Sequence, residues 1–524
     1  MVDAQRPSRG PFSRLTVRPH EAACEPACGL TANSVQEAAH ERGGTSFPDA
    51  NGGMIMDKIT KTRPLLISRP EVNARTAIHR FAVELSETAK LAWPMVLTQV
   101  GQIAMMTTDL AFIGRISTEA LAAAALAGRF YVISLTFGVG LLSAIAPLAA
   151  QAFGANNLAA ARRTLRMGLW TALVLSFPII AVALRAEQIL LALGQAPDVA
   201  RLAQQYLFGL GFSAAPALAF LAIRSFMGAV HRPQPVFWIT LSAIPLNALL
   251  VYMLTYGKLG LPRLELFGAG LATTLVNCGM FLAGLWFAAL RQPFRDYHVL
   301  AQLWLFDWRA MRQLIAIGTP ISIASLIESG LFWATSLLAG LISTSALVAH
   351  QIVVQIAAIL FMIYLGVGTA AAVRVGHAAG RHDSAGLKRA NLAAMLIGIV
   401  IAAMLTLALI AARFEIVELF LGRSARDSET IGLAAKLLIV GATLSIADAA
   451  QCIAAGGLRG LKDTRVPLLF AAIAWWLIGF SLSYWLGLKV GLGAIGIWIG
   501  LSIGTTIYAA LLVLRFRQLT RRTH

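Results

Sequence analysis

The chain has 524 residues, 58% of them hydrophobic and only 13% Asp, Glu, Lys or Arg, against roughly 25% charged residues in soluble globular domains, which excludes water as its main solvent. Its 43 Lys and Arg against 25 Asp and Glu give a formal charge of +18. The basic residues sit in alternate loops between apolar runs, so they read as membrane topology and contact with anionic lipid, not as a nucleic-acid surface.

Residues 1–80 are polar, rich in Arg, Pro, Gly, Ala and Ser, and without a sustained apolar period; this predicts a disordered tail. The tail has no apolar core of signal-peptide length, and Met54 and Met56 stand as alternative starts. Cys24 and Cys28 form a C-x3-C pair there with no matching second pair, and with Cys278 and Cys452 they are too scattered for a disulfide framework.

A bilayer core takes about 20 apolar residues per helix. From Leu91 onward such runs recur at 91–113, 129–152, 165–184, 200–222, 236–256, 267–290, 315–341, 351–373, 389–411, 436–457, 466–486 and 493–515. Twelve spans put both termini on one side. The richer basic loops, with Arg162, Arg163 and Arg166, Arg224 and Arg232, Arg374 and Arg381, and Arg459 and Lys462, put that side in the cytoplasm.

The predicted fold is an all-α membrane protein of twelve transmembrane helices in two pseudo-symmetric six-helix lobes around a central cavity. The amino lobe is 81–290 and the carboxy lobe 315–515, with a linker at 291–314 and a basic tail at 516–524. Phe294, Tyr297, Trp304 and Trp308 give the linker an amphipathic, interface-lying pattern.

Charge inside a span is costly, about 2.5 to 3.5 kcal/mol for a central carboxylate, so the exceptions are informative. In the first span, Gln99, Gln102 and Met105 precede Asp109, where a carboxylate can face a vestibule or bind a cation. The fifth span carries Asn247. Glu328 falls near the middle of the seventh span with no basic residue in that span to neutralise it, and Asp448 on the tenth has Gln451 one turn on. His350, at the start of the eighth span, reads as an interfacial, solvated histidine. Pro94, Pro147, Pro178, Pro216, Pro245 and Pro320 fall within spans and should bend them.

A shift of 226 residues superimposes Pro94 on Pro320, Ile116-Ser117-Thr118 on Ile342-Ser343-Thr344, Gly154 on Gly380 and Asn157 on Asp383. One six-helix unit reads as duplicated. An even number of spans per unit makes the copies parallel, related by an axis along the membrane normal, and two such bundles can rock about a midplane site.

Enzymatic signatures are poor. There is no H-E-x-x-H and no phosphate-cradling G-x-x-x-x-G-K, and the one G-x-S-x-G, at Gly500 to Gly504, lies in an apolar helix where small residues mean close packing.

The TTDLAFIGRIS, GLLSAIAPLAAQAFGANN, RSFMGAVHRPQPVF, IPLNALLVYMLTYG, FGAGLAT and DAAQCIAAGGLRGLKDT stretches together resemble the multidrug and toxin extrusion (MATE) family, in particular its NorM-like bacterial branch, from about Leu85 to Arg517. The resemblance implies a drug antiporter powered by sodium or protons. It matches Asp109 to the family's amino-lobe aspartate, Asn247 to a fifth-span polar position, and Glu328 and Asp448 to its carboxy-lobe cation-binding carboxylates. Phe332 matches an aromatic position beside that cation site. Leu444 and Ala243 depart from the pattern, standing where relatives have a tyrosine and an asparagine.

The function expected is secondary active export of organic, mainly cationic amphipathic compounds by antiport with Na+ or H+. Glu328, Asp448 and Asp109 are the coupling residues, and Asn247, Phe332, Gln99, Gln102, Gln451 and Met105 the candidate lining. No cofactor is expected beyond the coupling ion, and no metal beyond Na+ at Glu328 and Asp448. The expected partners are small organic substrates and the lipid bilayer, with the protein a monomer in the inner membrane. The rivals are a lipid-linked precursor flippase, which would favour basic cavity residues, and an intramembrane enzyme using the same acids, which would work without a gradient.

Overall fold

A computed structural model describes residues 69–257, 262–292, 304–421 and 428–522. Cys24, Cys28, Met54, Met56, Phe294 and Tyr297 lie outside the described residues, as do 1–68 of the tail and 293–303 of the linker.

The first half comprises α1 (Arg69–Ile113), α2 (Thr118–Ser143), α3 (Ile145–Gly154), α4 (Leu158–Leu184), α5 (Ala186–Ala192), α6 (Pro197–Gly211), α7 (Ala214–Ala229), α8 (Gln234–Tyr256) and α9 (Glu265–Leu290). The second comprises α10 (Trp308–Ile342), α11 (Thr344–Gly380), α12 (Ser384–Ala411), α13 (Arg413–Leu421), α14 (Ser428–Gly460), α15 (Arg465–Ala471), α16 (Ser481–Tyr484) and α17 (Gly493–Arg522). Eleven stretches among the described residues are long and apolar enough to cross a bilayer, and the bent pair α6 and α7 makes the twelfth. Each overlaps one predicted segment.

The boundaries differ in informative places. Residues 69–80, assigned to the tail on composition, are the first turns of α1, and 308–314, assigned to the linker, already belong to α10. The Asp307 carboxylate explains the second start, accepting from the Arg309 and Ala310 amides at 3.0 and 3.2 Å. At the other end α17 runs on to Arg522, with Phe516 and Thr520 buried, so most of the predicted basic tail is a continuation of the last helix.

Two breaks follow from prolines. Pro216 has no N–H to give to the carbonyl of Phe212, and the chain bends by 44° between α6 and α7 at that point. Pro147 likewise leaves the carbonyl of Ser143 without a helical partner, where α2 gives way to α3. The eleventh span has no proline past Pro467 yet widens to π-helix over Ala472–Phe480 and Trp485–Lys489, a form common at functional sites.

The 226-residue repeat has a physical basis in the helix starts. Ser117 and Ser343 each cap the next helix, accepting from the Ala120 and Ala346 amides, both at 3.0 Å. Asn157 and Asp383 do the same for α4 and α12, at 2.9 and 2.7 Å. Asn156 and His382, one residue before these caps, both take a left-handed backbone, with φ of 55° and 57°. Off that register, the hydroxyl of Tyr131 bonds Ser213 in the first half, and that of Tyr364 bonds Ser445 in the second.

The halves meet where α1 packs on α11, α2 on α10 and α3 on α11. Glycine sets the closest approaches, again in register: a Cβ at Gly140 would lie 2.5 Å from Ser322 Cα, and one at Gly366 2.7 Å from Val96 Cα. The core that spans both halves, including Leu142, Ile145 and Phe226 with Leu314, Ile321 and Val367, lies toward the end whose loops carry the arginines, the basic end. The first half has its own core toward the opposite end, with Ile113, Leu190 and Val251, and the second has one that runs the length of the half, from Leu338, Ala349 and Trp498 to Leu387 and Phe516. The α2–α10 contact reaches further, where the Arg129 guanidinium lies 5.7 Å from the centre of the Trp333 ring.

Candidate functional site

In the first half, α1, α8 and α9 converge on Asp109. The side chain is 6% exposed and Asn247 is fully buried. The Asn247 amide donates to Asp109 Oδ1, and the Thr273 hydroxyl lies 3.1 Å from Oδ2. That hydroxyl is also 3.2 Å from the carbonyl of Ala269, and with one hydrogen it serves one acceptor at a time. The oxygen of Asn247 has no partner. Met105, one turn earlier on α1, packs into the core that spans the halves.

In the second half, α10 and α14 bring together Glu328, Asp448 and Gln451. The Gln451 amide donates to Asp448 Oδ1 at 2.5 Å and approaches Glu328 Oε1 at 3.4 Å, so one side chain bridges both acids. Gln451 is 4% exposed and its own oxygen is unpartnered. Phe332 lies one turn beyond Glu328 on α10, partly buried.

The charge balance of both clusters is unusual. Among the described residues no Lys, Arg or His forms an ion pair with Asp109, Glu328 or Asp448; the six ion pairs lie elsewhere. A buried carboxylate without a counter-charge is costly unless a proton or a small cation completes it. In the second cluster two carboxylates and a free amide oxygen form an all-oxygen set, which suits a hard monovalent cation or a proton. No group of three His, Cys, Asp or Glu able to hold a resident metal occurs among the described residues.

The structure therefore joins Asp109 to Asn247 and, separately, Glu328 to Asp448 and Gln451. Gln99 is elsewhere, its amide 3.9 Å from Met362 Sδ across the seam, and Gln102 is exposed and outside both clusters. An apolar crevice of about 210 Å³ between α2 and α4, lined by residues such as Phe137, Leu175 and Pro178, contains none of these acids. Thr273 was not singled out from sequence; its only signal is a threonine pair in FGAGLATTLVN.

The reading of His350 as solvated is wrong. It is fully buried, and its Nδ1 accepts from Trp498 Nε1 at 3.1 Å. Because α11 starts at Thr344, His350 sits nearly two turns inside the helix and not at its mouth.

A helical membrane protein of two pseudo-symmetric six-span halves, holding carboxylates with no ion-pair partner inside each half, is a secondary transporter of the parallel-repeat class. The chain belongs to the multidrug and toxin extrusion family: the MatE family model matches residues 94–253 and 320–485, one block in each half. It is 57% identical over 444 residues, 85% of this chain and 95% of the relative, to a probable multidrug resistance protein NorM of Bradyrhizobium diazoefficiens. It is 52% identical over 438 residues, 84% of this chain and 92% of the relative, to another of that description from Rhodopseudomonas palustris. The fold matches the crystal structure of the eukaryotic MATE transporter AtDTX14 with a TM-score of 0.75 at 20% identity, covering 84% of this chain and 98% of that one.

Proposed function

We propose that the chain exports organic, mainly cationic amphipathic compounds across the inner membrane by antiport with Na+ or H+, as a monomer whose two lobes rock about the seam. The basic end faces the cytoplasm together with both termini. The lobes share a core at that end, which supports a conformation closed toward the cytoplasm.

The observation that carries the reading is the Glu328–Gln451–Asp448 bridge, two buried acids sharing one amide with no cation paired to either. Such a site is completed by a proton or by Na+, and the two cannot be bound and absent at equal cost. Entry of the ion from outside favours the lobe arrangement that holds it best, and its release to the cytoplasm resets the cycle. Asp109 with Asn247 and Thr273 forms the polar site of the other lobe. A flippase for phosphate-bearing lipids would instead want basic side chains there, and both clusters are acidic and amide-bearing.

The test is efflux of a cationic dye from proteoliposomes under a sodium gradient and a proton gradient imposed separately. Efflux above that of protein-free vesicles under one of them supports antiport and names the ion. Efflux under neither, with the protein inserted and monodisperse, overturns the reading.

A further inference from the structure

At the basic end the two halves are fastened by reciprocal hydrogen bonds. From the first half, Gln151 on α3 donates through Nε2 to the carbonyl of Gly460, at the end of α14, at 2.7 Å. From the second half, His377 on α11 places Nε2 2.7 Å from the carbonyl of Ala229, at the end of α7. Gln151 and His377 are 226 residues apart, the shift of the internal repeat, and their acceptors, 231 apart, are each the last residue of the fourth-span helix of a half, so each bond is the other's counterpart. Both run from the second span of one half to the end of the fourth span of the other.

The helices that carry them touch through glycine. A Cβ at Gly154 would lie 2.8 Å from His377 Cα, and one at Gly380 2.9 Å from the Ala155 nitrogen. These two glycines are also 226 residues apart, so the close crossing belongs to the duplicated frame. Arg374 adds an ion pair across the seam, its Nη2 2.7 Å from Glu84 Oε1.

The two bonds differ in one respect. Gln151 is an amide that no accessible pH alters. His377 is 1% exposed, with its Nδ1 unpartnered, and its ring forms a triangle with two rings of the other half, which lie 6.4 Å from each other. His231, on the turn between α7 and α8, lies 4.2 Å away centre to centre at an interplanar angle of 38°, and Phe153 lies at 5.5 Å.

We propose that these paired bonds are the latch of the basic end, and that the packed histidines make one half of it sensitive to acid on that side, so that acidification releases the lobes toward the state open to the basic end. The proposal rests on the alternating-access reading and assigns its closing contacts.

The surroundings set the sign. The charged groups facing the pair are Glu87 from α1, and Arg374 and Arg381 from α11 and the turn after it, and Arg374 is itself paired with Glu84. Burial, with Arg374 and then Arg381 adding to it and Glu87 opposing, holds His231 down at about 4. An imidazole released into water titrates near 6.5. The latched state is therefore unpenalised above about pH 6.5 and loses ground as pH falls from there toward 4, because only the released state takes up the proton. For His231 alone this shifts the ratio of released to latched molecules about tenfold between pH 7.5 and 5.5.

The test is a double electron–electron resonance distance between nitroxides at Ala159 and Ala385, exposed equivalents on α4 and α12, introduced as Ala159→Cys and Ala385→Cys with the four native cysteines replaced. The protein is full-length, in nanodiscs. A short distance should dominate at pH 7.5, and a longer one should gain about tenfold relative to it by pH 5.5. In His377→Gln the donor of the equivalent bond is restored in a form that does not titrate, and in His231→Gln/His377→Gln the acid response should vanish while the short distance persists. Gln151→Ala should raise the long component at both pH values. Acid-driven opening that survives in His231→Gln/His377→Gln overturns the proposal, as does a Gln151→Ala variant that closes like the parent. Labels that move on adding sodium or dye but not acid defeat the latch and leave alternating access standing; labels that move under none of these defeat both.

Discussion

The amide of Gln451 donates to Asp448 one turn before it on α14, at 2.5 Å, while its oxygen, buried on the same side chain, has no partner. A half-turn of that amide would trade the donor for an acceptor. Gln451 thus answers either state of the site: its N–H2 suits two bare carboxylates, and its oxygen suits a bound cation or a protonated acid.

Gln451→Leu keeps the volume roughly and removes both roles. Gradient-driven dye efflux from proteoliposomes is expected to fall at least tenfold, with the variant still monodisperse. Gln451→Glu would bring a third acid into the cluster and should raise the external ion concentration needed for half-maximal efflux. Unaltered efflux in Gln451→Leu would show that the amide is only a helix tie.

In the amino-terminal half, Thr273→Val is nearly isosteric and strips Asp109 Oδ2 of its donor. An acceptor left buried and unpaired costs about 1–3 kcal/mol, so the thermal midpoint in detergent should drop. Asn247→Ala removes the donor to Oδ1 and should cost at least as much. Asp109→Asn in the Thr273→Val background should recover part of the loss, since the amide carries no charge to be stabilised.

The seam glycines are expected to tolerate no side chain. A Cβ at Gly140 meets the Ser322 backbone, not a flexible tip. Gly140→Val should destabilise by about 1–3 kcal/mol or more, as overpacking does, and should trap the lobes apart at the basic end. The reading is fluorescence thermal unfolding together with protease access to the basic-end loops.

His350 provides the contrasting case. Its partner is an indole N–H inside one lobe, with no carboxylate bonded to it. Trp498→Phe leaves the buried Nδ1 unpaired and a smaller ring in a full site, and should lower the thermal midpoint by the equivalent of about 1–3 kcal/mol or more. The pH profile of efflux should be unchanged. A shifted profile would make His350 part of the coupling path.

Much of this was visible in the sequence, for identifiable reasons. Apolar runs of bilayer length fix the spans, and the duplicated Ile-Ser-Thr and Asn/Asp positions at a 226-residue shift are visible because they are helix caps, where side-chain identity matters. Glu328, Asp448 and Asp109 were conspicuous because charge inside a span is rare. What escaped detection involves partners without a residue signature. Thr273 looked like one more threonine bonding its own helix, and Gln151 and His377 act on backbone carbonyls, which any residue supplies. The π-helical turns of the eleventh span follow from no single residue. The duplication also conceals a difference: at the 226-residue shift Glu328 falls on Gln102, which is exposed, so the fold was copied and the acid site was not.

The central claim is that Glu328 and Asp448 work by gaining and losing a small cation. Its most direct test is dye efflux from proteoliposomes by Glu328→Gln and Asp448→Asn beside the unaltered chain, under the gradient that drives the latter. Both variants should stay folded, bind dye in detergent, and lose gradient-driven efflux at least tenfold. Export by both at the unaltered rate would contradict the account.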